Sequence, residues 1–132
     1  MFMPTIQKIK ENQHENLCEE LLRERAAVLG RAGIAVEDAI DCLVPVEREI
    51  EAKISLLKSY TNSASDCEIL VKQRLLLEEI NLDIDQFNYL CRNARLKYYY
   101  LIVTREALGL RRHDVVKEIY RIPAIMKKIK AI

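Results

Sequence analysis

The chain has 132 residues, of which 50% are apolar and 31% are charged, with three glycines, three prolines and no tryptophan. This composition excludes a disordered chain. The length fits a single domain, residues 1–132, with a hydrophobic core large enough to be stable without disulfides or a bound metal. The net charge of +1 excludes a polycation or polyanion as a whole, and the scarcity of helix breakers predicts an all-α fold.

Two helices are predicted in the first half of the chain, Pro4–Gly30 and Ile34–Tyr60, each marked by an apolar stripe at helical spacing. Gly30 and Gly33 predict the stop and tight turn between them. Pro45 lies inside the second helix, where it removes a backbone hydrogen bond, so a kink or short break is expected at 41–45.

The third predicted helix, Asp66 to Leu108, is the most distinctive element, because it contains neither Gly nor Pro. At about 1.5 Å per residue it would be roughly 65 Å long. Ser65 and Glu68 have the spacing of a capping box at its start. Its apolar residues recur at alternating steps of seven and four, the 11-residue period of a nearly straight seam. The members of this seam are Ile69, Leu76, Ile80, Phe87, Cys91, Tyr98 and Ile102.

One alternative is a break inside this helix near Asp83. Asp83 and Gln86 also have capping-box spacing, and Leu82 and Phe87 are placed as a hydrophobic staple. A break there would give a fourth bundle helix, whereas the unshifted seam favours a continuous one. We therefore predict an antiparallel bundle of three main helices with a very long third helix.

The C-terminal segment, 111–132, contains seven basic and two acidic residues. The long helix is expected to end around Gly109, and Asp114 is placed to cap a short helix from Val115 to about Tyr120. A stripe of isoleucines then suggests that the segment docks on the long helix. These residues are Ile125, Ile129 and Ile132.

The second half of the long helix is the predicted association surface. Two helices of about 25 residues would cover the long helix only to about residue 87, which leaves Leu90–Leu108 for the C-terminal segment, a second copy of the chain, or both. Three consecutive tyrosines, Tyr98 to Tyr100, make this part apolar on most sides. We predict a homodimer whose interface contains Leu90, Ala94, Tyr98, Tyr99, Leu101, Ile102 and Arg105.

No catalytic, cofactor or metal site is predicted, so the expected class is a non-enzymatic protein that acts by protein–protein association. Glu11 and His14 have the spacing of half a di-iron motif, but the matching half is missing. The polar cluster from Thr104 to Asp114 is interpreted as ordinary surface and cap residues, and a small-molecule or metal site near His14 or around Arg105 to Asp114 is a less favoured alternative. The four cysteines lie too far apart along a bundle to meet in one layer. They are Cys18, Cys42, Cys67 and Cys91.

The alternative function is nucleic-acid binding by the basic segment. The candidate anion contacts are Arg111, Arg112, Lys117, Lys127, Lys128 and Lys130. The segment has a single aromatic residue and no recognition helix, so association ranks above this alternative. No signal peptide and no run of about 18 apolar residues is visible, which predicts a cytoplasmic protein without a membrane span.

Overall fold

The computed structural model describes residues 5–61 and 67–130, and every regular element in these ranges is a helix. The helices are α1 (Ile6–Asp41), α2 (Leu43–Thr61), α3 (Cys67–Ala107) and α4 (Asp114–Ile119). The predicted all-α antiparallel bundle with a very long third helix is therefore confirmed. Within the described residues, none of the helices combines the length and the apolar character that crossing a membrane would require.

The predicted turn at Gly30 and Gly33 is wrong, because α1 continues through both glycines to Asp41. A Cβ added at Gly33 would lie 3.1 Å from the hydroxyl oxygen of Tyr120, so this glycine serves close packing. The chain breaks instead at Cys42, inside the expected range. Pro45 has no N–H to donate to the carbonyl of Asp41, and α1 ends at that residue.

The helices α1 and α2 follow one another along α3, and each packs mainly against α3. Val36 packs against Leu101, and the Lys53 ammonium donates a hydrogen bond of 2.7 Å to the Asp83 carboxylate. Rising numbers in α1 and α2 thus match falling numbers in α3, so the pairing is antiparallel.

Both sides of this pairing carry a seven-residue repeat. The residues buried in α1 and α2 are Val36, Ala39, Leu43, Ile50 and Leu57. The residues buried in α3 from Ile80 onward are Ile80, Ile84, Phe87, Cys91, Ala94 and Leu101. Steps of three, four and seven are typical of coiled-coil packing. The members of the predicted 11-residue seam, from Ile69 to Ile102, are all buried or half-buried as well. The break at Cys42 does not interrupt the seven-residue spacing, since Val36, Leu43 and Ile50 are buried on both sides of it.

The helix α3 is continuous at Asp83, which excludes the four-helix alternative. The Asp83 side chain accepts from Lys53 rather than capping a helix. The predicted cap at Ser65 lies outside the described residues.

The end of α3 is a Schellman motif built on Gly109, whose φ is +89°. The Gly109 N–H donates to the carbonyl of Glu106, and the Leu110 N–H donates to that of Arg105. The predicted cap on α4 is wrong: Asp114 is its first residue, and the N-cap is His113, without a side-chain cap bond.

Gly30 and Gly109 offer a direct test of these two corrections. We expect Gly30→Ala to raise the free energy of unfolding by about 0.5–1 kcal/mol, because it lies in a helix with open space around it. Gly109→Ala should lower it by about 1–2 kcal/mol, because of its positive φ. Urea denaturation measures both values. A destabilising Gly30→Ala would contradict the continuous α1.

Lys53 is the charged member of the seam between α2 and α3. Its ammonium also lies 3.3 Å from Glu49 and 3.7 Å from Glu79. The hydrogen bond to Asp83 raises the pKa of Lys53 above 10.5, against the opposing effect of burial. The stabilisation is therefore complete at neutral pH and is lost as the pH rises beyond that value.

We expect Lys53→Met to lower the free energy of unfolding by about 1–2 kcal/mol at neutral pH, because Asp83 loses its cation. Lys58→Met, on the exposed side of α2, is the control and should change it by less than about 0.5 kcal/mol. Urea titrations at neutral pH and at about pH 11 should show the Lys53→Met deficit shrinking as Lys53 loses its proton. A deficit independent of pH would contradict the ion pair.

Candidate functional site

The first half of α1 projects beyond the end of α3. Since residue 36 lies level with about residue 101, residues of α1 before about 29 have no counterpart in α3, which ends at Ala107. The side chains of residues 5–28 are all exposed. This free segment, residues 6–28, is about 35 Å long at 1.5 Å per residue.

The free segment carries a stripe of exposed apolar residues. Its exposed large apolar residues are Ile6, Ile9, Leu17, Leu21, Leu22 and Val28. Leu22 lies seven residues before Leu29 and fourteen before Val36, which is buried against α3. Leu22 therefore continues the face that packs in the second half of α1 into the first half, where no described part of the chain covers it.

The predicted interface on α3 lies largely inside the chain's own core. Ala94 and Leu101 are buried, and Leu90, Tyr98 and Ile102 are half-buried members of the two core clusters. The second half of α1 and α4 cover Tyr98, Leu101 and Ile102, because α1 continues through the glycines, whereas Leu90 packs in the core cluster of α2 and α3. A second copy could reach Ala94 and Leu101 only if these helices moved away.

The other two predicted interface residues differ from these five. Tyr99 is 61% exposed. Arg105 donates from Nε to His113 Nδ1 at 3.3 Å and from Nη2 to the carbonyl of Arg112 at 2.9 Å. Since Nδ1 accepts, a neutral His113 ring carries its proton on Nε2, which lies 3.2 Å from Glu106. This cluster fixes the loop between α3 and α4.

The six candidate anion contacts fall into two groups. Arg111, Arg112 and Lys117 follow the end of α3, where Arg105 donates to the carbonyl of Arg112. Lys128 Nζ instead lies 3.2 Å from Asp85. Asp85 and Arg105 are twenty residues apart on one helix, or about 30 Å. Lys127 and Lys130 belong to the group of Lys128. The six side chains therefore do not form one patch.

Among the described residues, no group of three or more His, Cys, Asp and Glu side chains could hold a metal ion. Cys18 Sγ lies 3.8 Å from His14 Nε2, one turn apart on the exposed half of α1. Cys42 and Cys67 are also exposed. Cys91 is buried beside Phe87, and burial raises the pKa of its thiol. Cys91 is therefore an unreactive part of the core at neutral pH.

A second surface, which the sequence analysis missed, is the line where the C-terminal segment meets α3. Asn88 Nδ2 donates to the carbonyl of Met126, and Asn88 Oδ1 accepts from the N–H of the same residue, both at 2.9 Å. Asn81 binds Ile129 in the same two ways, at 3.1 and 2.9 Å. Each asparagine side chain thus makes, with one residue of an extended chain, the same two backbone hydrogen bonds that a neighbouring β-strand would make. The available signal was a pair of asparagines seven residues apart on a helix.

The outward and inward residues of this segment follow a period of three. Pro123, Met126 and Ile129 are half-buried, while Ile125, a member of the predicted isoleucine stripe, is 45% exposed. The carbonyl of Pro123 accepts from Arg95 at 3.4 Å. The segment is extended rather than helical. The residues that face α3 are therefore three apart, and not at the helical spacing predicted for the isoleucine stripe.

Comparison with known proteins gives no relative of this chain: no protein family matches it, and neither a curated protein nor a solved structure is significantly similar to it.

Proposed function

We propose that this is a non-enzymatic protein that acts by association, as a homodimer joined through the free segment of α1. The observation that carries the proposal is the set of exposed large apolar side chains in residues 6–28, which no described part of the chain covers. A cytoplasmic location is proposed on the basis of the sequence alone.

The shape of the stripe favours a helix as its partner. A single row of apolar residues with charged flanks is the face that a helix presents to another helix. Isolated helices of this length are marginally stable in water, so packing against a partner would also stabilise the helical state of residues 6–28. An exposed row of large apolar side chains on a soluble chain indicates an interaction surface.

The length of the free segment favours a second copy of the same chain. Leu17 is the midpoint of residues 6–28. In an antiparallel pair with Leu17 at the two-fold axis, Ile6 of one copy lies level with Val28 of the other. Each free segment then covers the whole of its counterpart without meeting either α3. Such a contact uses the same surface twice, as two-fold dimers do.

The charges of the free segment agree with this register. Lys10 and Glu24 are each seven residues from Leu17 and therefore on its face of the helix. Lys10 of one copy lies level with Glu24 of the partner subunit, and the symmetry repeats the pair. Glu15 and Glu19 also come level, but each is two residues from Leu17 and so on the opposite side of the helix.

The sequence-based proposal placed the dimer interface on the second half of α3. The exposed stripe of α1 supports the association surface proposed here, because Ala94 and Leu101 already pack within the chain. The class of function is unchanged, and the surface is a different one.

Gel filtration with light scattering tests the proposed dimer. We expect the wild-type chain to have about twice its monomer mass of 15.4 kDa. Leu17→Glu combined with Leu21→Glu should give a folded monomer, because the charges would be buried unpaired at the two-fold axis. Its helix content by circular dichroism should fall by no more than the free segment contributes.

Leu82→Glu is the matched control, since Leu82 is an exposed leucine of α3 outside the proposed interface. This variant should remain dimeric. A wild-type monomer at high micromolar concentration would contradict the proposal, and so would a Leu17→Glu/Leu21→Glu variant that stays dimeric.

A further inference from the structure

We infer that α3 carries a receptor site for an extended peptide, formed by Asn81, Asn88 and Arg95, which the chain's own residues 123–130 occupy. The external ligand would be an extended segment of another protein, with apolar side chains three residues apart and basic residues between them. This inference concerns a different surface from the free segment of α1 and does not depend on it.

The first observation is that the two asparagines bind the backbone of their ligand. All four hydrogen bonds go to the N–H and C=O groups of Met126 and Ile129. Every residue except proline has both groups. Such contacts fix the direction and register of a bound chain without selecting its side chains, as the added strand does in β-augmentation.

The second observation is that the spacing of the site matches an extended chain. Arg95, Asn88 and Asn81 are seven residues apart on α3, or about 10.5 Å per step. Their partners Pro123, Met126 and Ile129 are three residues apart, which in an extended chain is about 10 Å. The three contacts therefore form one regular ladder, which any other extended chain of the same direction could fit.

The third observation is the chemistry of the resident segment, which defines the ligand class. Met126 and Ile129 pack against the core cluster of α2 and α3. Lys128 lies 3.2 Å from Asp85, and Lys127 is exposed between the two apolar anchors. The pattern that fits is apolar, basic, basic, apolar. A peptide with an acidic residue at the position of Lys128 would face Asp85 with a like charge.

The resident segment competes with any external ligand. Being part of the same chain, it acts at an effective concentration in the millimolar range, which an untethered peptide must exceed. Its anchors are only half-buried, however, so substitutions at these anchors weaken the resident segment and leave the asparagines in place. The resident segment and the asparagines that bind it can therefore be altered independently in the test.

The experiment measures fluorescence anisotropy of a labelled synthetic peptide of residues 121–130 with full-length chains. The receptor carries Met126→Ser and Ile129→Ser, and circular dichroism and urea denaturation verify that it is folded. We expect this receptor to bind the peptide at least about tenfold more tightly than the wild-type chain does, because its own segment competes less.

Asn88→Asp in the same receptor should weaken peptide binding by about tenfold or more, because a carboxylate oxygen then faces the peptide carbonyl in place of a donor. The matched control is Asn93→Asp, which makes the same charge change at a position of α3 without a ladder hydrogen bond, and it should leave binding unchanged. A peptide with Lys127→Glu and Lys128→Glu should bind more weakly.

Equal binding to the wild-type and Ser-substituted chains would overturn the inference, as would equal effects of Asn88→Asp and Asn93→Asp. A wild-type dimer that Asn88→Asp converts to a monomer would show that the external occupant is the segment of a second copy. That outcome would overturn the assignment to another protein. It is distinguishable from the α1 dimer, because Leu17→Glu/Leu21→Glu acts on a different surface.

Discussion

The antiparallel seam between α3 and the two helices that follow one another along it determines where every other part of the chain lies. Apolar residues at steps of three and four, with Lys53 bound to Asp83, hold one register along the seam. The helix α3 has 41 residues, whereas α1 and α2 together reach from residue 6 to residue 61. In the register set by Val36 and Leu101, the residues of α1 before about 29 lie beyond the end of α3 at Ala107. The free segment is thus a consequence of this register and of the length of α1.

Local chemistry predicted much of this architecture. The absence of Gly and Pro from α3 predicted its continuity, and Pro45 predicted the break at Cys42, because both effects act within one or two helical turns. Gly30 and Gly33 were misinterpreted because a glycine only weakens a helix, and tertiary packing decides whether the helix continues. Here the hydroxyl of Tyr120 lies close to Gly33, nearly ninety residues later in the chain. Because of this one error the unpaired surface was expected on α3, whereas the exposed apolar residues lie on α1.

The candidate surfaces were less predictable for a related reason. The apolar residues of the free segment look the same in the sequence as those buried further along α1, and only the end of α3 distinguishes them. Asn81 and Asn88 are unremarkable on a helix until an extended chain lies beside them. The C-terminal segment was expected to present Ile125, Ile129 and Ile132 as a helical stripe, but Ile125 is largely exposed and Ile132 lies outside the described residues. The sequence predicted that the C-terminal segment packs against α3, but the extended backbone of the segment determines which of its residues make the contact.

The ladder also has a mechanical consequence. A pull on the chain at residue 130, away from α3, loads the hydrogen bonds of Ile129 first and those of Met126 only after the first pair has broken. The segment would therefore peel in steps, each at low force. A pull along the axis of α3 would instead load both asparagines together, in shear, and would meet a higher resistance. The direction of tension, and not only its size, would decide whether α3 is uncovered.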